Sequence, residues 1–282
     1  MKKNLRNIAV VTSCLLSFAM CDKIDEPFQD PSNASNGSKK VLIEEFTGHT
    51  CGNCPEGSKV LEDIKKVLGD QVIVLAVHSG SFAFPICDQG KYCTDFRTAP
   101  GETYLNEFEI SSYPTSIVNR KIYNAKIRLP AGDWAPAANA FLAEEDLVDI
   151  FIELSLDTNN RNISVEVKSV PLSDLNGNFA VTVALAEDSV PDWQKFYAGI
   201  LGYENETDVD NYMHRHVFRG NINGNYGEAI NTSVAVGDTI YYTAPNTNIP
   251  LDFNLKHMSA IAYVHNLDTK EIIDVEKIHF PN

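Results

Sequence analysis

Cations are scarce in this chain: 23 Lys and Arg stand against 38 Asp and Glu, a formal net charge of −15. A surface of that sign repels phosphate, and no basic stretch interleaved with aromatic residues offsets it, so nucleic acid and anionic lipid head groups are excluded as partners. A spanning segment is not evident at the N-terminus either, because the apolar run Ile8 to Met20 is too short and wrongly flanked to cross a bilayer. Cysteine is sparse, 6 in 282 residues, and a single pair, Cys51 and Cys54, has C-x-x-C spacing. Structural zinc takes four Cys or His ligands, usually from two such knuckles. Cys87 and Cys93 have five residues between them and no H-x(3 to 5)-H pattern follows, so neither a metal nor any other cofactor is expected.

What is present is concentrated around the one pair. Cys51 Gly52 Asn53 Cys54 Pro55 follows the apolar run Val41 to Phe46 and precedes a helix-like segment. Two cysteines with this spacing at a strand-to-helix turn form a redox dithiol, because the first thiol sits at the positive end of the helix dipole. Pro55 suits the first helical turn, where its missing N–H costs nothing. Further on, Ser111 Ser112 Tyr113 Pro114 Thr115 Ser116 Ile117 Val118 puts a proline at the head of a β-branched run, a place where a cis peptide bond can fix a turn.

These residues resemble the thioredoxin fold, with Pro114 at the cis-proline position that faces the dithiol and Glu45, six residues before Cys51, at the position of the buried acid. The string Glu44 Glu45 Phe46 Thr47 Gly48 followed by Cys51 to Gly57 resembles, more narrowly, the Omp28-related outer membrane lipoproteins of Bacteroidetes. So do Asn211 to Gly220 and Tyr263 to Asn266. The resemblance implies thiol-disulfide exchange on exported proteins or peptides: Cys51 attacks as thiolate, Cys54 resolves the mixed disulfide, Glu45 accepts a proton near Cys54, and Pro114 presents backbone to an extended substrate. Two positions depart from the pattern, Thr50 where thioredoxins carry Trp and the bulky Tyr113 before the proline. They leave open a second reading, a non-catalytic binding or assembly module at the outer membrane with a passive Cys51–Cys54 disulfide.

The N-terminus sets the compartment. Lys2, Lys3 and Arg6 form a basic region, Ile8 to Met20 an apolar one, and residues 1–20 read as a signal peptide. Cys21 is the expected lipidation site, although Met20 makes the preceding motif imperfect. Cys14 follows smaller residues but would leave too short an apolar core, and simple cleavage near Met20 is the remaining alternative. Removal of residues 1–20 takes away three cations, so the mature charge is −15 − 3 = −18. Residues 21–39 then form a flexible acidic tether, and the lipid on Cys21 supplies membrane attachment. The expected location is the cell envelope, on the periplasmic or surface face of the outer membrane, and the oligomeric state is unread.

The rest divides near Leu147. Residues 40–146 alternate strands and helices: Val41 to Phe46, Cys54 to Leu68, Val72 to His78, a helical stretch near Thr98 to Phe108, Thr115 to Asn119, a hairpin partner at Ile122 to Ile127, and Asp133 to Glu145. Val60, Leu61, Ile64, Val67 and Leu68 form an apolar stripe for covering a sheet. Residues 147–282 switch to period two and predict an all-β sandwich of Ig-like or jelly-roll type, folding separately from the α/β thioredoxin-like domain. His214 and His216, placed on one strand, share a face but find no third ligand. The Asp and Asn clusters at 157–162 and 174–178 read as hairpin turns rather than calcium loops. Cys87 and Cys93 fall in the insertion Ser79 to Phe96, where a local structural disulfide is expected of an exported protein, with a second redox pair as the alternative.

Overall fold

The computed structural model describes residues 39–230 and 233–281. The expected signal peptide, Cys21 and all of the expected tether but Lys39 lie outside the described residues. The architecture is mixed α/β, with strands in sheets predominating over a few helices.

The first half builds on β1 (Val41–Thr47), α1 (Cys54–Leu68), β2 (Val72–His78), α2 (Ala99–Glu107), β3 (Thr115–Val118) and α3 (Ala131–Leu142). β1 runs parallel to β2, from Val41 opposite Val72 to Thr47 opposite His78, and antiparallel to β3. A parallel strand covered on both faces reads as a continuous apolar run, and every residue of β1 is buried. Its odd positions Val41 and Ile43 meet Leu61 and Ile64 of α1 and Trp134 and Phe141 of α3. Its even positions Leu42 and Phe46 meet Tyr104 of α2 and Phe108.

Two local expectations change. Val67 is 82% exposed; it stands at the solvent edge of the α1 stripe, beside a shallow apolar groove with Val60, Ile64, Leu68 and Ala135. The predicted hairpin partner at Ile122 to Ile127 is a run of turns held by the isolated pairs Tyr123–Lys126 and Ser116–Leu129. Left-handed backbone at Asn119, Arg120, Asn124 and Ala125 folds the chain too sharply for a strand.

The second half supplies β4 (Val148–Asp157), β5 (Asn162–Pro171), β6 (Phe179–Glu187), β7 (Val190–Phe196), β8 (Thr207–His214), β9 (Val217–Asn221), β10 (Ile240–Thr243), β11 (Met258–Asn266) and β12 (Ile272–His279). β4 and β5 pair over their whole length around the turn that begins at Asp157, and β10 extends that sheet. Their inward residues Ile150, Ile152, Val165 and Val167 pack on Val181, Val183, Ala260 and Val264 of β6 and β11. Two β layers therefore face each other, but the second layer is not confined to this half. Its order is β12-β11-β6-β9-β2-β1-β3, joined where the Ala76 amide donates to the His216 carbonyl at 2.8 Å.

The expected boundary near Leu147 is thus a change of period along the chain and not a break in the core. Leu42, Phe46, Ile73 and Leu75 share one cluster with Phe218, Ile261, Tyr263 and Val275. Glu44 and Arg120 stand within it, the side chains 1% and 0% exposed. The guanidinium grips the carboxylate at two points, 2.7 and 2.8 Å, and lies 4.3 Å from the centre of the Tyr104 ring and 5.4 Å from that of Tyr263. Removing one member of a buried pair strands the other charge, at a cost of about 3–5 kcal/mol. Arg120→Ala should lose that much stability, and the mature chain should unfold in one cooperative calorimetric transition; two separable transitions, with Arg120→Ala moving only the first, would contradict the shared core.

Candidate functional site

β1 delivers the chain into a tight loop, 48–53, that α1 continues. Gly48 is required by crowding, since a Cβ there would come within 2.4 Å of the Phe82 backbone. The Cys51 amide donates to the Gly48 carbonyl at 3.0 Å and the Cys54 amide to the Cys51 carbonyl at 3.1 Å, which winds the chain into the helix. Cys54 opens α1 with Pro55 in its first turn, and Cys51 and Cys54 are joined as a disulfide. The Tyr113–Pro114 bond is cis. Pro114 reaches α1 at Gly57, one turn in, where an added Cβ would lie 2.9 Å from the proline ring and 2.8 Å from Glu45 Oε1. Glu45 and Pro114 are therefore brought together on the first turn of the helix that Cys54 begins.

Glu45 is 2% exposed and its Oε1 has no hydrogen-bond partner. Burial raises its pKa from the usual 4.5 to about 8, so the carboxyl stays protonated at neutral pH. Beside it lies a cavity of about 20 Å³ lined by Ser58, Leu61, Tyr212 and Arg215, enough for roughly one water. Burial also pushes the Tyr212 phenol up to about 12.

Accessibility of Cys51 is the feature that sequence reasoning missed. Cys51 and Cys54 are 2% and 1% exposed, covered by a segment some 140 residues later in the chain. The Lys195 amide donates to the His49 carbonyl at 2.9 Å, the Tyr197 amide to the Gly52 carbonyl at 3.0 Å, and the Gln194 side-chain amide to the Cys51 carbonyl at 3.0 Å. The Tyr197 ring fills the space a Cβ on Gly52 would need, 2.3 Å away. From the other side, Thr50 donates its amide and hydroxyl to the Phe82 carbonyl at 3.1 and 2.8 Å. Cys87 and Cys93 in this insertion are bonded to each other, and both are exposed.

A second omission is the gathering of three histidines in the interior. His49, His78 and His214 surround Phe96, with ring centres 5.9, 4.9 and 5.1 Å from it. Burial lowers all three pKa values, to about 4 at His214, so they are neutral at pH 7. Their signal was weak: single histidines flanking the dithiol loop and ending β2. His214 closes β8 while His216 sits in a left-handed turn and pairs with Asp188 at 3.1 Å. The two do not share a strand face as predicted, because the strand ends between them. Among the described residues no three His, Cys, Asp or Glu side chains gather in a way that could hold a metal ion.

The family model described as outer membrane protein Omp28 matches residues 101–281. Among proteins of curated function none matches the chain. HBP35 of Porphyromonas gingivalis superposes with a TM-score of 0.62 at 19% identity, over 86% of this chain and 76% of that one, which shows a shared fold. A protein from Agrobacterium tumefaciens gives 0.49 at 12% identity over 87% and 96%. A domain of the outer membrane lipoprotein Omp28 from P. gingivalis gives 0.31 at 23% identity over 49% and 90%. Cys51 and Cys54 lie ahead of the matched residues.

Glu45 has a consequence for stability. Between pH 4.5 and about 8 the unfolded chain gives up the proton that the folded chain keeps, so the folded state binds more protons and loses stability as pH rises through that window. Glu45→Gln, neutral at every pH, escapes the loss. Urea unfolding at pH 5 and pH 8.5 should show the variant gaining on the wild type by on the order of a few kcal/mol at the higher pH; a difference independent of pH would mean that Glu45 is not a buried protonated acid.

Proposed function

The chain belongs to the Omp28 outer membrane protein family, and from that premise we propose that it exchanges thiols and disulfides on exported proteins through Cys51 and Cys54. The dithiol sits in a thioredoxin-like unit formed by about residues 40–146, and lipid on Cys21 holds the chain at the membrane. The observation that carries the reading is the joining of Cys51 to Cys54 at the head of α1, with cis Pro114 and protonated Glu45 meeting on that helix's first turn. The parallel β1–α1–β2 unit with β3 antiparallel beside β1 supports the thioredoxin-like description.

In the reducing direction the Cys51 thiolate attacks one sulfur of a substrate disulfide, forming a mixed disulfide and releasing the other substrate sulfur as thiolate. The Cys54 thiolate then attacks Cys51 Sγ, closing the Cys51–Cys54 bond and expelling the second substrate thiolate. Two electrons pass to the substrate, and in the oxidising direction the same steps run backwards. The positive end of the α1 dipole favours the Cys51 thiolate, while Cys54 is enclosed in the first turn, 1% exposed. When the Cys51–Cys54 bond opens, the protonated Glu45 gives its proton to the departing Cys54 sulfur, and the carboxylate so formed takes it back when Cys54 attacks.

The burial of both cysteines favours a second reading, a scaffold with a passive disulfide that assembles with partners at the membrane. Trapping separates the two. Cys54→Ser in cells should accumulate mixed disulfides with exported proteins, at least tenfold more than Cys51→Ser; equal and negligible trapping by both variants would leave the scaffold reading standing.

A further inference from the structure

The exposed Cys87–Cys93 disulfide takes no part in the exchange steps, yet it shapes the loop that anchors the cover over Cys51. Within the closed ring the backbone is left-handed at Cys87, Gln89 and Tyr92, with φ of 51, 50 and 56°, as well as at Gly90. Non-glycine residues resist that conformation, and the Cys87–Cys93 bond closes the ring in which these three adopt it. The amides of Ile86 and Cys87 both donate to the Tyr92 carbonyl, at 2.9 and 3.3 Å, which leaves Lys91 and Tyr92 projecting from the loop. Their target is Asp208: the Lys91 ammonium lies 2.9 Å from one carboxylate oxygen and the Tyr92 hydroxyl donates to the other at 2.5 Å.

Asp208 belongs to β8 and stands opposite Lys195 of β7, the residue whose amide holds the His49 carbonyl. Lys91 also lies 5.0 Å over the Trp193 ring, and the Tyr92 ring is 5.3 Å from that of His49. One chain of contacts therefore runs from the exposed disulfide through Lys91 and Tyr92 to the β7–β8 hairpin, and from the hairpin to the buried disulfide.

We propose that Cys87–Cys93 is a redox-sensitive latch: oxidised, it keeps the β7–β8 hairpin over Cys51 and Cys54, and reduced, it lets Lys91 and Tyr92 leave Asp208 so that the hairpin yields. The reductant is a dithiol. Its thiolate attacks one sulfur of the exposed bond and frees the other as thiolate; its second thiol then displaces the remaining cysteine. Two electrons and two protons pass to Cys87 and Cys93, and the dithiol becomes a disulfide. The use of such a latch rests on the exchange reading, but its existence does not.

Dithiothreitol reduction of the oxidised mature chain, sampled by differential alkylation and mass spectrometry, tests it without any protein substrate. Cys87–Cys93 should open first in the wild type, and Cys51–Cys54 should open at least tenfold faster in the Cys87→Ser/Cys93→Ser chain. Asp208→Asn, which keeps both disulfides and loses only the anchor, should accelerate Cys51–Cys54 in the same direction. Opening of Cys51–Cys54 before Cys87–Cys93, or at one rate in all three chains, would overturn the latch. So would acceleration by Asp208→Asn alone, which would leave an anchor that does not depend on the disulfide. Failure of Cys54→Ser to trap a partner would sink the exchange reading and leave these rates as they are.

Discussion

The buried pairing of Glu44 with Arg120 constrains everything else. Desolvating two charges costs about as much as their attraction returns, so such a pair adds little net stability, yet neither member tolerates the loss of the other. The pair therefore acts on geometry. Arg120 lies in a left-handed turn with Asn119; the Asn119 side chain accepts from the Leu42 amide at 2.7 Å, and its carbonyl accepts from the Ile272 amide at 2.8 Å. β1, the end of β3 and β12 are tied at one point, with Tyr104 and Tyr263 around the guanidinium. Residues from both halves of the chain are needed to surround that charge.

The same constraint sets the chemistry of the dithiol. Side chains alternate along a strand, so the adjacent residues Glu44 and Glu45 point to opposite faces of β1. Glu44 faces the aromatic cluster and finds Arg120. Glu45 faces α1, finds no hydrogen-bond partner for Oε1, and keeps its proton. A slip of one residue would put Ile43 opposite Arg120 or Phe46 against α1, and would carry the displaced acid into an apolar position of the core. Holding the pair in place thus holds the neutral acid beside the site.

The local features were legible in sequence because they rest on local chemistry. The C-x-x-C turn, the cis bond at Pro114, the β-α-β order of the first half and the long β4–β5 hairpin all follow from spacing, turn residues and apolar period. The union of the two halves was not, because β9 meets β2 through a single parallel register pair, Val217 with Ala76, and such a pairing has no signature along the chain. Nor was the cover on Cys51: Gln194 to Tyr197 act through main-chain donors, a ring and one side-chain amide, none of which any periodicity marks. Glu44 and Glu45 are identical in composition and differ only in which face they share. Family and redox assignments rest on different residues, since the match to Omp28 begins at residue 101 and the dithiol precedes it.

Two physical effects compete at Cys51: the α1 N-terminus favours the thiolate, and burial opposes it. A working redox pair requires the first to prevail once the hairpin opens, whereas a structural bridge has no need of it. The reduction potential of the Cys51–Cys54 couple, measured in the Cys87→Ser/Cys93→Ser chain so that a single disulfide reports, decides between them. Exchange on exported proteins requires a value above about −300 mV. A value well below that would place the bond with structural disulfides that the surroundings cannot reduce, and would contradict the account.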